Sequence, residues 1–137
     1  MKQIRNILVS SLLMFGLIVL ISSCEKDKHV PPNISLKTGT GYSFADATVA
    51  KNSAITVGLT AEKVEDDMIS YNVSVAYDGA TTTTTYQNFN LTGTEQQHYD
   101  KDVSFTTRNQ PGSEKWTFTI TDKDGNIAQK QIVLTVE

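Results

Sequence analysis

Three possible metal ligands recur at every second residue in one stretch, His98-x-Asp100-x-Asp102. In an extended strand, alternate side chains point to the same face, so this spacing predicts the imidazole and both carboxylates on one face. Zinc sites need a tetrahedral donor set with supporting hydrogen bonds. One histidine with two acids is an incomplete set, so we favour a polar strand edge. A hydrolase built from the same three residues is the alternative.

A second oxygen-rich stretch is Asp122-Lys123-Asp124-Gly125-Asn126. Asp122, Asp124 and Asn126 are candidate calcium ligands, but a full EF-hand loop needs twelve residues that end in a bidentate glutamate. Asp, Gly and Asn are also the residues that a tight hairpin turn requires, because they tolerate a positive φ. We therefore favour a plain turn over a calcium site.

Two aromatic residues lie among amides in the stretch TTTTTYQNFNLTG. Tyr86 and Phe89 interrupt a simple alternation, and Asn88 and Asn90 flank Phe89. Exposed rings can stack on sugars while amides hydrogen-bond the hydroxyl groups, so these four residues form a candidate ligand-binding site. The alternative is a short irregular strand with one ring in the core.

The remaining composition argues against catalysis and against nucleic-acid binding. No serine, cysteine or lysine stands beside a base in a recognisable catalytic arrangement, so we expect no enzyme activity and no cofactor. The formal net charge is −3, and the charged clusters are acidic, as in Glu65-Asp66-Asp67. Binding to phosphate backbones needs clustered Lys and Arg instead.

The elements that must position these residues are strands. Apolar and polar residues alternate, which is the pattern of strands that bury one face. Turn signals such as Asp78-Gly79 and Pro111-Gly112 separate the runs, so we predict an all-β antiparallel sandwich of about seven strands. Ile127 is out of phase with Ile132, which predicts a bulge over residues 128–130. The alternating runs are 55–59, 69–77, 103–105, 116–120 and 132–136.

The C-terminal stretch WTFTITDKDGNIAQKQIVLTV, residues 116–136, resembles the final hairpin of bacterial immunoglobulin-like and PKD-like domains. Those domains end in an alternating strand, an Asp-x-x-Gly-Asn turn and a second alternating strand. The resemblance implies an immunoglobulin-like fold and no binding residue. The glycine-rich tryptophan motif of PKD domains and the disulfide of antibody domains are absent from the sequence.

The N-terminus has the pattern of an export signal. Lys2 and Arg5 precede an apolar run, Ile7 to Ile21, that is shorter than the roughly 20 residues of a membrane span. Ile21-Ser22-Ser23-Cys24 resembles the lipobox of bacterial lipoproteins. This implies a signal peptide over residues 1–23 that is cleaved before Cys24, and acyl chains such as palmitate on that cysteine. An uncleaved anchor helix is the alternative.

Residues 24–33 are predicted to be a lipidated tether, because Pro31-Pro32 favours extended geometry. Glu25-Lys26-Asp27-Lys28 is similar to the tract behind the cysteine of Bacteroidota-type surface lipoproteins, which implies the outer membrane and the cell surface; a solvated linker is the alternative. Residues 34–137 are then the sandwich domain. We expect a membrane-anchored, non-catalytic binding or adhesion module for a glycan or protein. The alternative is a periplasm-facing structural or accessory subunit of an envelope complex.

Overall fold

The structure is a computed structural model that describes residues 29–137. The predicted signal peptide, Cys24 and the first part of the tether therefore lie outside the described residues. Within residues 29–137, no helical segment has the length and apolarity needed to span a bilayer.

The described residues form strands connected by turns. The chain also makes one turn of 3-10 helix, Gly93–Gln96, and the part of the chain described contains no α-helix. The strands are β1 (Asn33–Leu36), β2 (Ala47–Val49), β3 (Ala54–Glu62), β4 (Met68–Tyr77), β5 (Thr84–Asn90), β6 (His98–Thr106), β7 (Gly112–Asp122) and β8 (Ile127–Val136).

The strands pack as two sheets, so the predicted all-β sandwich is confirmed. One sheet has the order β1-β3-β6 and the other has the order β2-β8-β7-β4-β5. Neighbouring strands are antiparallel except for β2 and β8, which run parallel. This parallel pair was not predicted, because a three-residue strand is too short to show alternation. Edge strands β5 and β6 flank one side of the sandwich, and β1 contacts β8 on the other.

The alternating runs supply the core between the sheets. On β7, Trp116, Phe118 and Ile120 are all buried, and the Trp116 ring stacks on Phe105 of the opposite sheet. Val57 and Leu59 of β3 are fully buried as well. Burying each such side chain contributes about 1.5–3 kcal/mol, so the alternating positions are the main source of stability.

The predicted bulge in the last strand is wrong. The β7–β8 register runs without a shift from Gly112 opposite Val136 to Thr121 opposite Ile127. Ile127 is out of phase because it lies on the outer face of the sheet, where it is 56% exposed, and Ala128 takes the inward position. A shift occurs in β4 instead, between Met68 and Ser70. It leaves Ile69, predicted to face inward, 41% exposed, while Met68 is buried.

The domain makes contacts before residue 34, where we predicted its boundary. The Val30 backbone N–H donates to Glu65 Oε2 at 3.3 Å. Pro32 is buried, and β1 begins at Asn33. The last residues of the predicted tether are therefore packed against the sandwich instead of being free linker.

Candidate functional site

The four residues predicted to bind ligand on β5 are divided between its two faces. Phe89 pairs with the buried Tyr71 and lies on the inward side, whereas Asn88 pairs with Asn72 on the outer side. The β4–β5 register shifts between Val73 and Ser74, and this shift leaves Tyr86 as the extra residue on β5. The two rings and the two amides therefore do not form one continuous platform.

Both aromatic rings close the side of the sandwich between β5 and β6. The Tyr86 hydroxyl donates to the backbone oxygen of Ser104 at 3.1 Å, and its ring meets Trp116 edge-on at 5.3 Å. Phe89 stacks on Tyr71, with the Lys101 ammonium 5.0 Å from its centroid. Tyr86 is still 43% exposed, but its ring and hydroxyl have structural partners. The structure therefore agrees in part with the alternative interpretation of this stretch, because β5 is an irregular strand whose aromatic rings turn inward.

The two amide candidates lie on the outer face of the five-stranded sheet. Asn88 belongs to a row with Asn72, Thr119 and Gln129, and Asn90 belongs to the next row. Three consecutive rows across β8, β7, β4 and β5 contain no charged side chain, and we call them the uncharged face. Their members are Gln129, Thr119, Asn72, Asn88; Ile127, Thr121, Ser70, Asn90; and Gln131, Thr117, Ser74, Thr85.

Side chains of the uncharged face hydrogen-bond each other along the rows. Gln129 Nε2 donates to Thr119 Oγ1 at 3.0 Å, and Asn72 Nδ2 donates to Asn88 Oδ1 at 3.3 Å. These bonds hold the amides in place but leave them further donors and acceptors, because an amide group has two N–H groups and an oxygen with two lone pairs. The face can therefore offer ordered hydrogen-bonding groups to a neutral polar ligand.

The outer face of the three-stranded sheet has the opposite character, and we call it the charged face. His98, Asp100 and Asp102 lie together on the exposed side of β6, as their spacing predicts. Lys37 forms ion pairs with both aspartates, at 2.8 Å for Asp102, and the Tyr42 hydroxyl donates to Asp102 Oδ2 at 3.0 Å. The hydrogen bond from Lys37 has the larger effect and that from Tyr42 the smaller one; together they lower the pKa of Asp102 and so keep it ionised.

The three possible zinc ligands are thus in polar contact with side chains of neighbouring segments. His98 Nδ1 contacts the Glu62 carboxylate on the neighbouring strand. Across residues 29–137 there is no group of three or more His, Cys, Asp or Glu side chains placed to hold a metal ion. Gly58 makes room for the cluster, since a Cβ there would lie 2.5 Å from Lys37 Cδ. The charged face agrees with the polar edge that we favoured from the sequence, and charged edge strands disfavour pairing with other sheets.

The Asp122–Asn126 stretch forms a hairpin turn around the Asp122 carboxylate. Asp122 is fully buried; its Oδ1 accepts the N–H groups of Asp124 and Asn126 at 3.0 and 2.8 Å. Its Oδ2 accepts Asn126 Nδ2 at 3.0 Å, and Gly125 has a φ of 84°. Both oxygens of Asp122, the first of the candidate calcium ligands, therefore accept hydrogen bonds from within its own turn.

A buried glutamate that the sequence analysis did not single out organises one end of the sandwich. Glu114 is 1% exposed, and its Oε1 accepts the Arg108 N–H at 2.8 Å while its Oε2 accepts Trp116 Nε1 at 3.1 Å. Arg108 also binds both oxygens of Asp78, and this contact with a further bond from Ser113 lowers the pKa of Asp78 to about 2. The sequence signal that could have revealed the buried glutamate is the i,i+2 spacing of Glu114 and Trp116, because this spacing places an acid on the inward face of a strand.

The fold is shared with solved structures although no sequence relative is found. No protein-family model matches the chain, and no curated protein matches it in sequence. A chitin-binding domain from Burkholderia pseudomallei matches with a TM-score of 0.50 and 8% identity, over 69% of this chain and 58% of that one. The chain thus spans less than two thirds of that structure.

Two further matches come from mammals. A chain of the complex between Zinc 2-glycoprotein and Prolactin inducible protein from human seminal plasma has a TM-score of 0.50 and 8% identity, over 79% of this chain and 95% of that one. Murine CRIg has a TM-score of 0.42 and 14% identity, over 79% and 99%. The predicted immunoglobulin-like sandwich is confirmed. At these identities the matches show the fold alone.

Proposed function

We propose that this chain is a non-catalytic binding or adhesion module, held at the outer membrane by acyl chains on Cys24 and displayed at the cell surface. The lipobox-like residues Ile21 to Cys24 and the charged tract behind them support the anchor. Two or three acyl chains suffice for stable anchoring, since each buried methylene contributes about 0.8 kcal/mol.

The observation that carries the binding role is the uncharged face. Its amide and hydroxyl side chains are those that hydrogen-bond sugar hydroxyls or peptide groups, and a charged ligand would find no counter-ion in its three rows. A neutral glycan fits this chemistry best, and a protein with an uncharged polar surface is the second candidate. The chitin-binding domain with the same fold does not decide between them, because the similarity extends to the fold only.

The ligand is tested with a glycan and cell-surface protein array probed with the fragment 29–137, which keeps the contacts of Val30 and Pro32. We expect binding to neutral glycans that falls at least tenfold in Asn88→Ala and Gln129→Ala. Asp100→Asn, on the charged face, is the matched control and should bind normally. Binding that survives both face variants and is lost in Asp100→Asn would refute the proposed surface.

The anchor is tested in cells with the full chain. Labelled palmitate should enter the protein, and Cys24→Ser should abolish the label and release the domain from the membrane fraction. Protease treatment of intact cells should remove a surface-displayed domain. Survival of the domain in shaved cells would refute surface display, and membrane partitioning unchanged in Cys24→Ser would refute lipidation.

A further inference from the structure

A groove lies beside the contact between β1 and β8, on the side of the sandwich opposite to Tyr86. Its cavity has a volume of about 310 Å³ and is lined by Ser35, Leu36, Thr38, Phe44, Lys130 and Gln131. This volume lies at the lower end of the range of small-molecule sites, about 300–1,000 Å³. We propose that the groove binds an anionic pyranose, a uronate unit whose carboxylate pairs with Lys130 and whose ring stacks on Phe44. The inference goes beyond the proposed function, because the groove is a second site with a different ligand and does not depend on the neutral-glycan site of the uncharged face.

Lys130 occupies an unusual position for a lysine. The β8 register places it opposite Phe118, on the same side of the strand as Ala128 and Ile132, which are buried against the other sheet. It is nevertheless exposed, because β1 ends at Leu36 and the three-stranded sheet does not cover it. The Lys130 ammonium makes no hydrogen bond or ion pair with any residue of the described range. An unpaired ammonium at an inward-facing position supplies the charge complement for a carboxylate.

Phe44 supplies an apolar wall. It lies in the connection between β1 and β2, is 46% exposed, and has no ring contact within residues 29–137. A scattered exposed ring alone would carry no argument, since such rings are common. Here the ring lines the same cavity as the free ammonium. A pyranose has an apolar face and a polar rim, and an aromatic wall beside polar groups suits both.

The hydroxyl groups on the rim of the pyranose would hydrogen-bond to polar side chains of the groove and to backbone groups at the edge of β8. Ser35, Thr38 and Gln131 line the groove with two hydroxyls and an amide. The Val133 N–H points away from β7, because it donates to Asp46 Oδ1 at 2.8 Å. Backbone groups at alternate residues face the same edge, so those of Gln131 also point to that open edge. Strand β2 pairs only with residues 134–136 and does not cover it.

The charge of the groove favours an anionic sugar over a neutral one. Lys130 is the one charged residue among the six that line the groove, whereas the chain as a whole has a formal net charge of −3. Asp46 does not line the cavity, and its Oδ1 accepts the Val133 N–H at 2.8 Å. A ligand with a single carboxylate on a sugar ring meets one cation and one aromatic wall, and a neutral sugar would leave the ammonium without a partner.

The test uses the full chain in detergent and saturation-transfer difference NMR with sodium D-glucuronate, D-glucose and sodium acetate as probes. We expect saturation of the glucuronate ring protons, a signal for glucose at least fivefold weaker, and none for acetate, which has the carboxylate without the ring. Lys130→Gln and Phe44→Ala should each reduce the glucuronate signal at least fivefold. Lys51→Gln, whose backbone pairs with Glu137 at the other end of β8, is the matched control and should keep it.

Each outcome decides the inference. Equal signals for glucuronate and glucose, or a glucuronate signal that persists in Lys130→Gln, would overturn it. Thermal unfolding of each variant, followed by tryptophan fluorescence, distinguishes loss of binding from loss of folding. If glucuronate shows no saturation while neutral glycans bind in a manner that needs Asn88 and Gln129, the groove fails and the proposed function stands. The reverse pattern retains the groove and rejects the uncharged face.

Discussion

Replacing Glu114 with glutamine should destabilise the domain by about 3 kcal/mol. Three donors meet at the Glu114 carboxylate: the N–H and Nε of Arg108 at 2.8 and 3.3 Å from Oε1, and Trp116 Nε1 at 3.1 Å from Oε2. A glutamine in the same place has one acceptor oxygen, so its NH2 group would face one of these donors.

The magnitude follows from that arrangement. Leaving one buried donor unsatisfied costs about 1–3 kcal/mol, and hydrogen bonds to a charged group are stronger than neutral ones by about 1 kcal/mol. Glu114→Ala removes every acceptor and should cost about 5 kcal/mol, the upper end of the range for breaking a buried ion pair. Because domains of this kind are stable by about 5–15 kcal/mol, the glutamine variant is the one expected to remain folded.

Urea denaturation of the fragment 29–137 measures the effect. Trp116 is the only tryptophan in the sequence, so its fluorescence reports directly on the partner of Glu114. Glu62→Gln removes an exposed carboxylate that pairs with His98 and should change the free energy of unfolding by less than about 0.5 kcal/mol. If Glu114→Gln changed the free energy of unfolding as little as this control, the carboxylate would not be holding Arg108 and Trp116 together.

Three further predictions concern stability. Tyr71→Phe removes a buried hydroxyl that has no hydrogen-bond partner in the described structure, so it should leave the free energy of unfolding unchanged or raise it by up to about 1 kcal/mol; a loss above about 1 kcal/mol in urea titration would contradict this. Gly112→Ala should cost at least about 2 kcal/mol of stability, because a Cβ there would lie 2.2 Å from Asp78 Oδ1. In the control Gly125→Ala the Cβ meets nothing within 4 Å, so this variant should cost about 1 kcal/mol. Equal melting temperatures for the two variants would refute the close contact at Gly112. The pKa of Asp78 is lowered from 3.8 to about 2, so its contribution to the free energy of unfolding is present above pH 3.8 and is lost as the pH falls towards 2. The Asp78→Asn variant should therefore lose less stability between pH 4 and pH 2 than the parent protein. Parallel curves of stability against pH for the two proteins would count against the Arg108 contact.

The long strands were predictable because burial of one face imposes a period of two. The runs around Leu59, Val73 and Phe118 lie inward as the alternation requires. The errors occur where pairing geometry interrupts that period. The shift between Met68 and Ser70 exposes Ile69, and the shift beside Val73 leaves Tyr86 as the extra residue on β5. A register shift depends on the partner strand, and the local sequence does not show it.

The candidate site was predictable only in part. The exposed positions of Asn88 and Asn90 followed from strand alternation, but the uncharged face depends on which strands are neighbours. Likewise the sequence shows an out-of-phase residue near Lys130, whereas the groove is formed by residues of β1, the β1–β2 connection and β8. Both features arise from the order of strands in the sheets, which pairs residues far apart in sequence.

The shortness of β1 has a mechanical consequence. A pulling load that reaches the domain through residue 29 passes the Val30–Glu65 contact and the buried Pro32 and then enters β1, which is joined to β3 by four residue pairs, from Asn33–Glu62 to Leu36–Leu59. Peeling this strand leaves the nine β3–β6 pairs and the whole five-stranded sheet intact. The domain would therefore yield in two stages under tension, releasing a short length of slack before the sandwich itself ruptures.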